Sequence, residues 1–365
     1  MIKRHIFLPL FASLMCMCAS AQSTTNTPQP SSNSYFSELK LNSLNLGVTA
    51  GTTGLGLELD LPVFDRLHVR AGVGYIPRTN LPMTFNLTSY AGENADPSMS
   101  EDDRFERLSS LMEQFTGMKV DREVKMHAKG TMVDFRLLVD FYPLRNNKHW
   151  HATAGFYWGS SKAGHIENTI TEAPSLMGVV MYNNMYDFFT SQRYYFEPLY
   201  GDAMIDPFVG AEMEEKFLRY GRVGAHLGNF KEGAPIKAGE PYMLTPDENG
   251  TVRADMYVHS FKPYVGIGYN ACISKDGRWN IGFDAGALFW GKPKILTHET
   301  YIYNADGSVS YGTVTNPDFD GTIGRYVDVA KDVDGINGKV GTYCDIAKSI
   351  HVYPVLNFKI SYKLF

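Results

Sequence analysis

The sequence predicts an all-β fold, an eight-stranded antiparallel transmembrane β-barrel with three long extracellular loops, one containing a short helix. Three observations predict it. Apolar and polar residues alternate with a period of two in eight separate segments. After the N-terminal region no apolar run reaches the ~18 residues of a spanning helix. The connections between the alternating segments are short at one end and very long at the other. A chain that crosses a bilayer without helices must close its strands into a barrel, because unpaired backbone groups have no partner in hydrocarbon.

The strands follow in order. Leu44, Leu46, Val48 and Ala50 alternate with Asn45, Gly47 and Thr49, and Leu55, Leu57, Leu59 and Leu61 with Gly56, Glu58 and Asp60. The third segment sets Leu67, Val69, Ala71, Val73 and Tyr75 against His68, Arg70, Gly72 and Gly74; the fourth sets Val133, Phe135, Leu137, Val139 and Phe141 against Asp134, Arg136 and Asp140. Trp150, Ala152, Ala154, Phe156 and Trp158 form the apolar face of the fifth, and Val265, Ile267, Tyr269 and Ala271 that of the sixth. Trp279, Ile281, Phe283, Ala285 and Phe289 mark the seventh, and Val352, Leu356, Phe358, Ile360 and Tyr362 the eighth.

A soluble lipocalin-like barrel would show the same period with its apolar face inside. Volume decides against it: the apolar face supplies about forty side chains, and an eight-stranded interior is only just wide enough for ordinary filling. The other face is rich in glycine and carries Glu58, Asp60, Asp134, Asp140 and Asp284 with Arg70, Arg136 and Lys359. These eight are the candidate lumen residues, an ion-pair network that plugs a narrow barrel, since an unpaired buried charge is expensive. His68 and His351 are expected to hydrogen bond in the lumen as well.

Phe64–Arg66, Arg145–Lys148 and Lys275–Arg278 read as short turns, and Gly51–Gly54 as the one tight connection on the opposite side. Segments 77–130, 160–260 and 291–349 are the long loops. At the N-terminus, Lys3 and Arg4 precede an apolar run from Ile6 to Ala19 and the small-residue site Ala19-Ser20-Ala21, the pattern of a secretory signal peptide. The expected division is therefore 1–21 signal peptide, 22–42 periplasmic N-terminal linker and 43–365 barrel, with the short turns in the periplasm. Met15 stands where lipid attachment at Cys16 would want a small residue. Cys272 and Cys344 are the cysteines beyond the leader.

The composition, 44% apolar with 34 Gly, 22 Tyr and 22 Phe and a net charge of -5, holds no basic stripe for nucleic acid. Within the loops, Ser100–Met118 reads as an amphipathic helix with Phe105, Leu108, Leu111, Met112 and Phe115 on one side, expected to cap the barrel mouth. Met181, Tyr182, Met185, Tyr186, Phe188, Phe189, Tyr194, Tyr195 and Phe196 make a Met and aromatic-rich stretch, expected to pack on itself rather than form an adaptable binding patch. Asn316-x-Asp318-x-Asp320-Gly321 matches the start of a calcium loop. Val327 occupies the position of its closing Glu, so the segment reads as an acidic turn.

An enzyme would need a nucleophile and base at the outer rim. His127, His165, His259 and His298 lie near that rim, with Ser160 and Ser161 near His165, yet no spacing singles out a triad and no histidine pair has metal-ligand spacing. No catalytic, cofactor or metal site is expected. The reading is a non-enzymatic barrel whose loops serve binding, adhesion or envelope organisation; the alternative is a barrel enzyme acting on lipid or peptide.

The closing run His351–Phe365, with an aromatic residue at the end of an alternating strand, resembles the outer-membrane β-barrel proteins of Gram-negative bacteria. Ser260–Tyr269 and Gly277–Asp284 are similar to uncharacterised barrels of Bacteroidota-type bacteria. The resemblance implies residence in the cell outer membrane, contact with outer-membrane lipid, and recognition of Phe365 by the barrel-assembly machinery. Tyr362 stands three residues before Phe365 rather than two, which puts that terminal ring out of phase with the outward face. An extracellular ligand or a neighbouring envelope protein is the expected further partner.

Overall fold

The computed structural model describes residues 43–117, 119–144, 147–313, 321–336 and 338–365. The leader and linker expectations, Cys16, Met118, Arg145, Asn146 and the acidic turn up to Asp320 fall outside them. In chain order the strands are β1 (Asn45–Gly51), β2 (Gly54–Phe64), β3 (Leu67–Asn86), β4 (Thr88–Tyr90), β5 (Glu123–Phe141), β6 (Trp150–Gly159), β7 (Lys162–Asn168), β8 (Arg222–Phe230), β9 (Pro241–Leu244), β10 (Arg253–Tyr257), β11 (Phe261–Cys272), β12 (Trp279–Phe289), β13 (Lys294–Tyr303), β14 (Val309–Gly312), β15 (Thr322–Asp328), β16 (Val333–Asp334) and β17 (Val352–Lys363). The helices are α1 (Glu101–Thr116), α2 (Ala173–Thr190), α3 (Pro207–Tyr220), α4 (Val329–Asp332) and α5 (Gly338–Ser349).

Eight strands close into an antiparallel barrel in the order β1-β2-β3-β5-β6-β11-β12-β17 and back to β1. These are the eight alternating segments of the sequence. Closure leaves no unpaired edge, which is what a bilayer requires. Phe365 lies beyond β17 with its ring exposed, but its carbonyl still accepts a hydrogen bond from the Leu44 amide.

The two faces separate as the alternation dictates. Leu57 and Ile267 are 53% and 56% exposed on the outside, while Glu58 and Asp60 are buried inside. Aromatic rings ring both ends of this apolar belt: Trp150 packs on Tyr269 and Trp279 on Tyr362 at the turn end, with Tyr75, Trp158, Phe261 and Phe289 at the loop end. From Trp279 to Phe289 along β12, at ~3.3 Å per step and ~40° tilt, the belt spans roughly 25 Å, the height of a bilayer's apolar band.

β3 and β5 do not stop at the belt. They run to 20 and 19 residues, and their outer halves continue as a sheet with β7, β10 and β13, edged by β14 and β15. Along β5 the polarity of the faces inverts. Phe141, Val139, Leu137, Phe135 and Val133 face lipid, and the same outer face then reads Lys129, His127, Lys125 and Glu123; the lumen face changes from Asp140, Arg136 and Asp134 to Met132, Ala128, Met126 and Val124. In lipid the apolar side must face out, and in water it must face in. The inversion therefore marks the membrane surface.

Beyond that surface the segments expected as loops fold around a hydrophobic core of their own. α1 starts at a capping box of Ser100 and Asp103 and ends at Gly117 with φ 67°, a left-handed conformation that glycine adopts without strain. Its Phe105, Leu108 and Met112 are buried in this core with Leu87, Val120 and Leu176, whereas Leu111 stays exposed. The expectation that α1 caps the barrel mouth is corrected: it packs on the core beyond the membrane. Helices also occur in the second and third loops, where α2 buries Leu176, Val179, Tyr182, Phe188 and Phe189. A second sheet of β4, β8, β9 and β16 completes the domain.

Candidate functional site

The barrel lumen and the domain above it are the places where chemistry-bearing side chains converge. Alternation aims every second residue inward, and the shear of the barrel decides which of them meet. All eight predicted lumen residues are buried: Glu58, Asp60, Arg70, Asp134, Arg136, Asp140, Asp284 and Lys359.

Arg70 is the hub. Its side chain is 0% exposed, and it meets Asp140 at 2.8 Å, Asp284 at 2.7 Å and Glu58 at 3.4 Å. Thr153 Oγ donates to Asp140 at 2.7 Å, and His151 Nε2 lies 3.1 Å from Asp284. Arg136 reaches Glu58 at 3.0 Å and lies over the Tyr157 ring. A Cβ at Gly56 or Gly74 would overlap its guanidinium, so both glycines make room for it.

The other predicted members sit apart from the hub. Asp134 pairs with Lys262, whose ammonium also donates to the Ser160 carbonyl. Asp60 pairs with His68 at 3.1 Å. Lys359 makes no direct hydrogen bond through Nζ among the described residues and acts through space on Asp60 and Asp284. It lines a polar vestibule of about 360 Å³ at the turn end with Asp60, His68, Asn270 and Ser361. The single network centred on three bases thus resolves into a hub and satellites.

Lys262 and His151 are lumen residues that the sequence reading missed. Both were legible by parity: Lys262 is two residues before inward Tyr264, and His151 lies between outward Trp150 and Ala152. His351, expected inside, is exposed at the loop end and turns its Nδ1 to the Ser349 carbonyl. The lumen strand begins only at Val352, the residue after it.

Above the hub the lumen is filled by Leu138, Tyr157, Tyr264, Leu288 and Val355. At the loop end Met132, Val258 and Trp290 pack together, with the Trp290 indole donating to the Ile350 carbonyl at 2.7 Å. Among the described residues, polar and apolar side chains thus occupy the lumen in successive layers.

In the outer domain, His165 sits on Asp255 at 2.6 Å and Glu167 at 3.3 Å, while Ser160 Oγ accepts from the Val133 amide. Burial pushes the Asp255 carboxyl up, but hydrogen bonds from Lys162 and His165 outweigh it and hold the group below its ordinary value. His127 lies beside Glu167 in register, and His298 beside the Arg253 carbonyl. Asn316, Asp318 and Asp320 lie outside the described residues, and Val327 is buried in β15. Cys272 lines the turn-end vestibule and Cys344 a cavity in the outer domain, so the two are too far apart to bridge.

The Met and aromatic-rich stretch divides. Tyr182, Phe188, Phe189 and Tyr194 are buried, with Phe189 stacked on Phe217. Phe196, Tyr200 and Phe208 are 84%, 75% and 81% exposed.

A closed barrel with an apolar belt, aromatic girdles and a charged, filled lumen has one physical environment. This is a transmembrane β-barrel. The sequence matches no protein-family model and no curated protein. Among solved structures it is similar to the crystal structure of CarO2 of Acinetobacter baumannii, with 12% identity and a TM-score of 0.34 over 88% of this chain and 98% of that one. It is also similar to CarO of Acinetobacter baumannii, at 10% identity and 0.32 over 88% and 96%. A major outer membrane protein from Thermus thermophilus aligns at 11% identity and 0.29 over 88% and 99%. The barrel itself rests on its own strand pairing.

Proposed function

We propose that this is an exported, non-enzymatic barrel in which the membrane part is an anchor and the outer domain is the working part, displayed outside the cell for binding, adhesion or envelope organisation. The observation that carries the reading is the contrast between a lumen filled in successive layers and a large folded domain beyond the membrane. The N-terminal leader pattern supports export, with the turn end in the periplasm. Segments 260–269 and 277–284 support a place among Bacteroidota-type barrels. The exposed rings of Tyr195 and Phe196, with centroids 6.3 Å apart, support a contact role, since contiguous exposed apolar surface marks interaction sites.

Two measurements test this. Protease added to intact cells should cut the outer domain near residues 195–210 and leave a membrane-embedded fragment; resistance in intact cells with cleavage only after the outer membrane is opened would reverse the sidedness. Purified protein in planar bilayers should show little conductance. A large, steady conductance would put a channel function first.

A further inference from the structure

The outer domain holds a partly open cavity of about 440 Å³ between its two layers. Packed protein interiors hold few voids larger than a water molecule, and binding pockets begin near 300 Å³. We propose that this cavity receives a hydrocarbon chain of a bilayer amphiphile, entering sideways from the leaflet on the loop side; the proposal rests on the membrane reading above.

The floor is one face of the extended sheet. Register places Gly130 opposite Gly164, Ala128 opposite Ile166, and Gly164 opposite Met256, with Ala254 beside Ile166. Four small residues, Ala128, Gly130, Gly164 and Ala254, thus sit together in a face otherwise made of Met83, Phe85, Met126, Ile166, Met256 and Ile295. The sheet is hollowed where side chains are missing and lined with pliable thioethers around the hollow. The roof is Leu227, Leu244 and Val329. Asp255, His165, Lys129 and Arg253 also border the cavity, but on the opposite phase of their strands, so the side chains aimed into the hollow are mostly apolar. An apolar hollow of this size favours an apolar occupant over water.

The route follows from the strand pairing. β2 pairs with β3 only as far as Leu55 with Tyr75, because the β1–β2 connection turns tightly at Gly54, where φ is 81°. A register shift between Ile76 and Thr79 then changes the parity of β3. Beyond it, Thr79, Leu81, Met83 and Phe85 face the hollow on a strand paired only with β5 among the described residues. Pro77–Pro82 is exposed at this edge, and Leu81, on the cavity face, is 62% exposed. The wall is therefore missing just above the lipid-facing pair Leu55 and Tyr75. Leu81 stands at this uncovered edge, on the cavity face and on the loop side of the lipid-facing belt, where a chain leaving the leaflet would enter.

The test uses the full chain in lipid nanodiscs that contain a phospholipid with a photoreactive diazirine on its acyl chain. Illumination and peptide mapping should find label on 79–85, 126–130 and 254–256 as well as on the lipid-facing belt around Val265 and Ile267. Gly164→Leu and Ala254→Leu point side chains into the hollow; a Cβ at Gly164 meets Met256 at an ordinary 3.6 Å. Each should lower cavity labelling at least tenfold while belt labelling is unchanged. Belt labelling without cavity labelling in the parent protein overturns the proposal and leaves the membrane reading intact. Cavity labelling by a water-added diazirine fatty acid but not by the bilayer phospholipid overturns the lateral route. Loss of belt labelling as well would count against the embedded barrel itself.

Discussion

Replacing Arg70 with Met should be the most damaging change in the lumen. The guanidinium is fully buried and compensates Asp140 and Asp284 directly, with Glu58 farther off at 3.4 Å. Without it Glu58 keeps Arg136, Asp140 keeps Thr153 with His151 farther off at 3.8 Å, and Asp284 keeps His151. Breaking one buried pair costs about 3–5 kcal/mol. Two carboxylates in one network do not add fully, so the expected loss is about 5–7 kcal/mol. Arg136→Met strands only Glu58, which retains Arg70, and should cost about 2–3 kcal/mol. Urea unfolding in lipid vesicles, followed by tryptophan fluorescence and by the shift between unheated and boiled bands on gels, measures both. Adding Asp284→Asn to Arg70→Met should recover about 2 kcal/mol, because one of the two stranded charges is gone. If Arg70→Met costs less than about 1 kcal/mol, or no more than Arg136→Met, the hub is hydrated and the argument from dry pairing fails.

Two further outcomes follow from the surfaces. Arg at Leu57, Val69, Leu137 or Ile267 should destabilise the barrel by about 2–4 kcal/mol in the same unfolding assay, and Arg at exposed Leu111 of α1 by little; equal costs would mean that the belt does not face lipid. In the outer domain, burial raises the Asp332 carboxyl but its hydrogen bonds with Arg325 hold it below the ordinary 3.8, through contacts of 2.6 and 2.8 Å. A depressed carboxyl contributes stability that is present above its unfolded value and lost as pH falls through the folded one. Arg325→Met should therefore weaken the docking of α4 near neutral pH by roughly 1 kcal/mol, given the exposed guanidinium. The difference from the parent should shrink and vanish as pH falls below the ordinary carboxyl value and through the lowered folded one. Hydrogen exchange of 325–334 across that range reads it, and a pH-independent difference would refute the assignment.

The sequence by itself determined the eight barrel strands and their inward and outward faces, because a period of two fixes which side of a strand each residue takes. It also placed Arg70 and its carboxylates in the lumen. Which acid meets which base was decided by the tertiary structure: the meeting heights depend on barrel shear, so Arg70 gathers Asp140 and Asp284 from β5 and β12 while Lys359 stands off. The outer halves of β3 and β5 were written in the same alternation, Val124, Met126 and Ala128 against Glu123, Lys125 and His127. Their phase relative to water is reversed there, and one strand cannot show where its solvent changes from lipid to water. The hollow of Gly130, Gly164, Ala128 and Ala254 exists only because three strands distant in sequence are held in one register, with no side chain from the facing layer long enough to fill it.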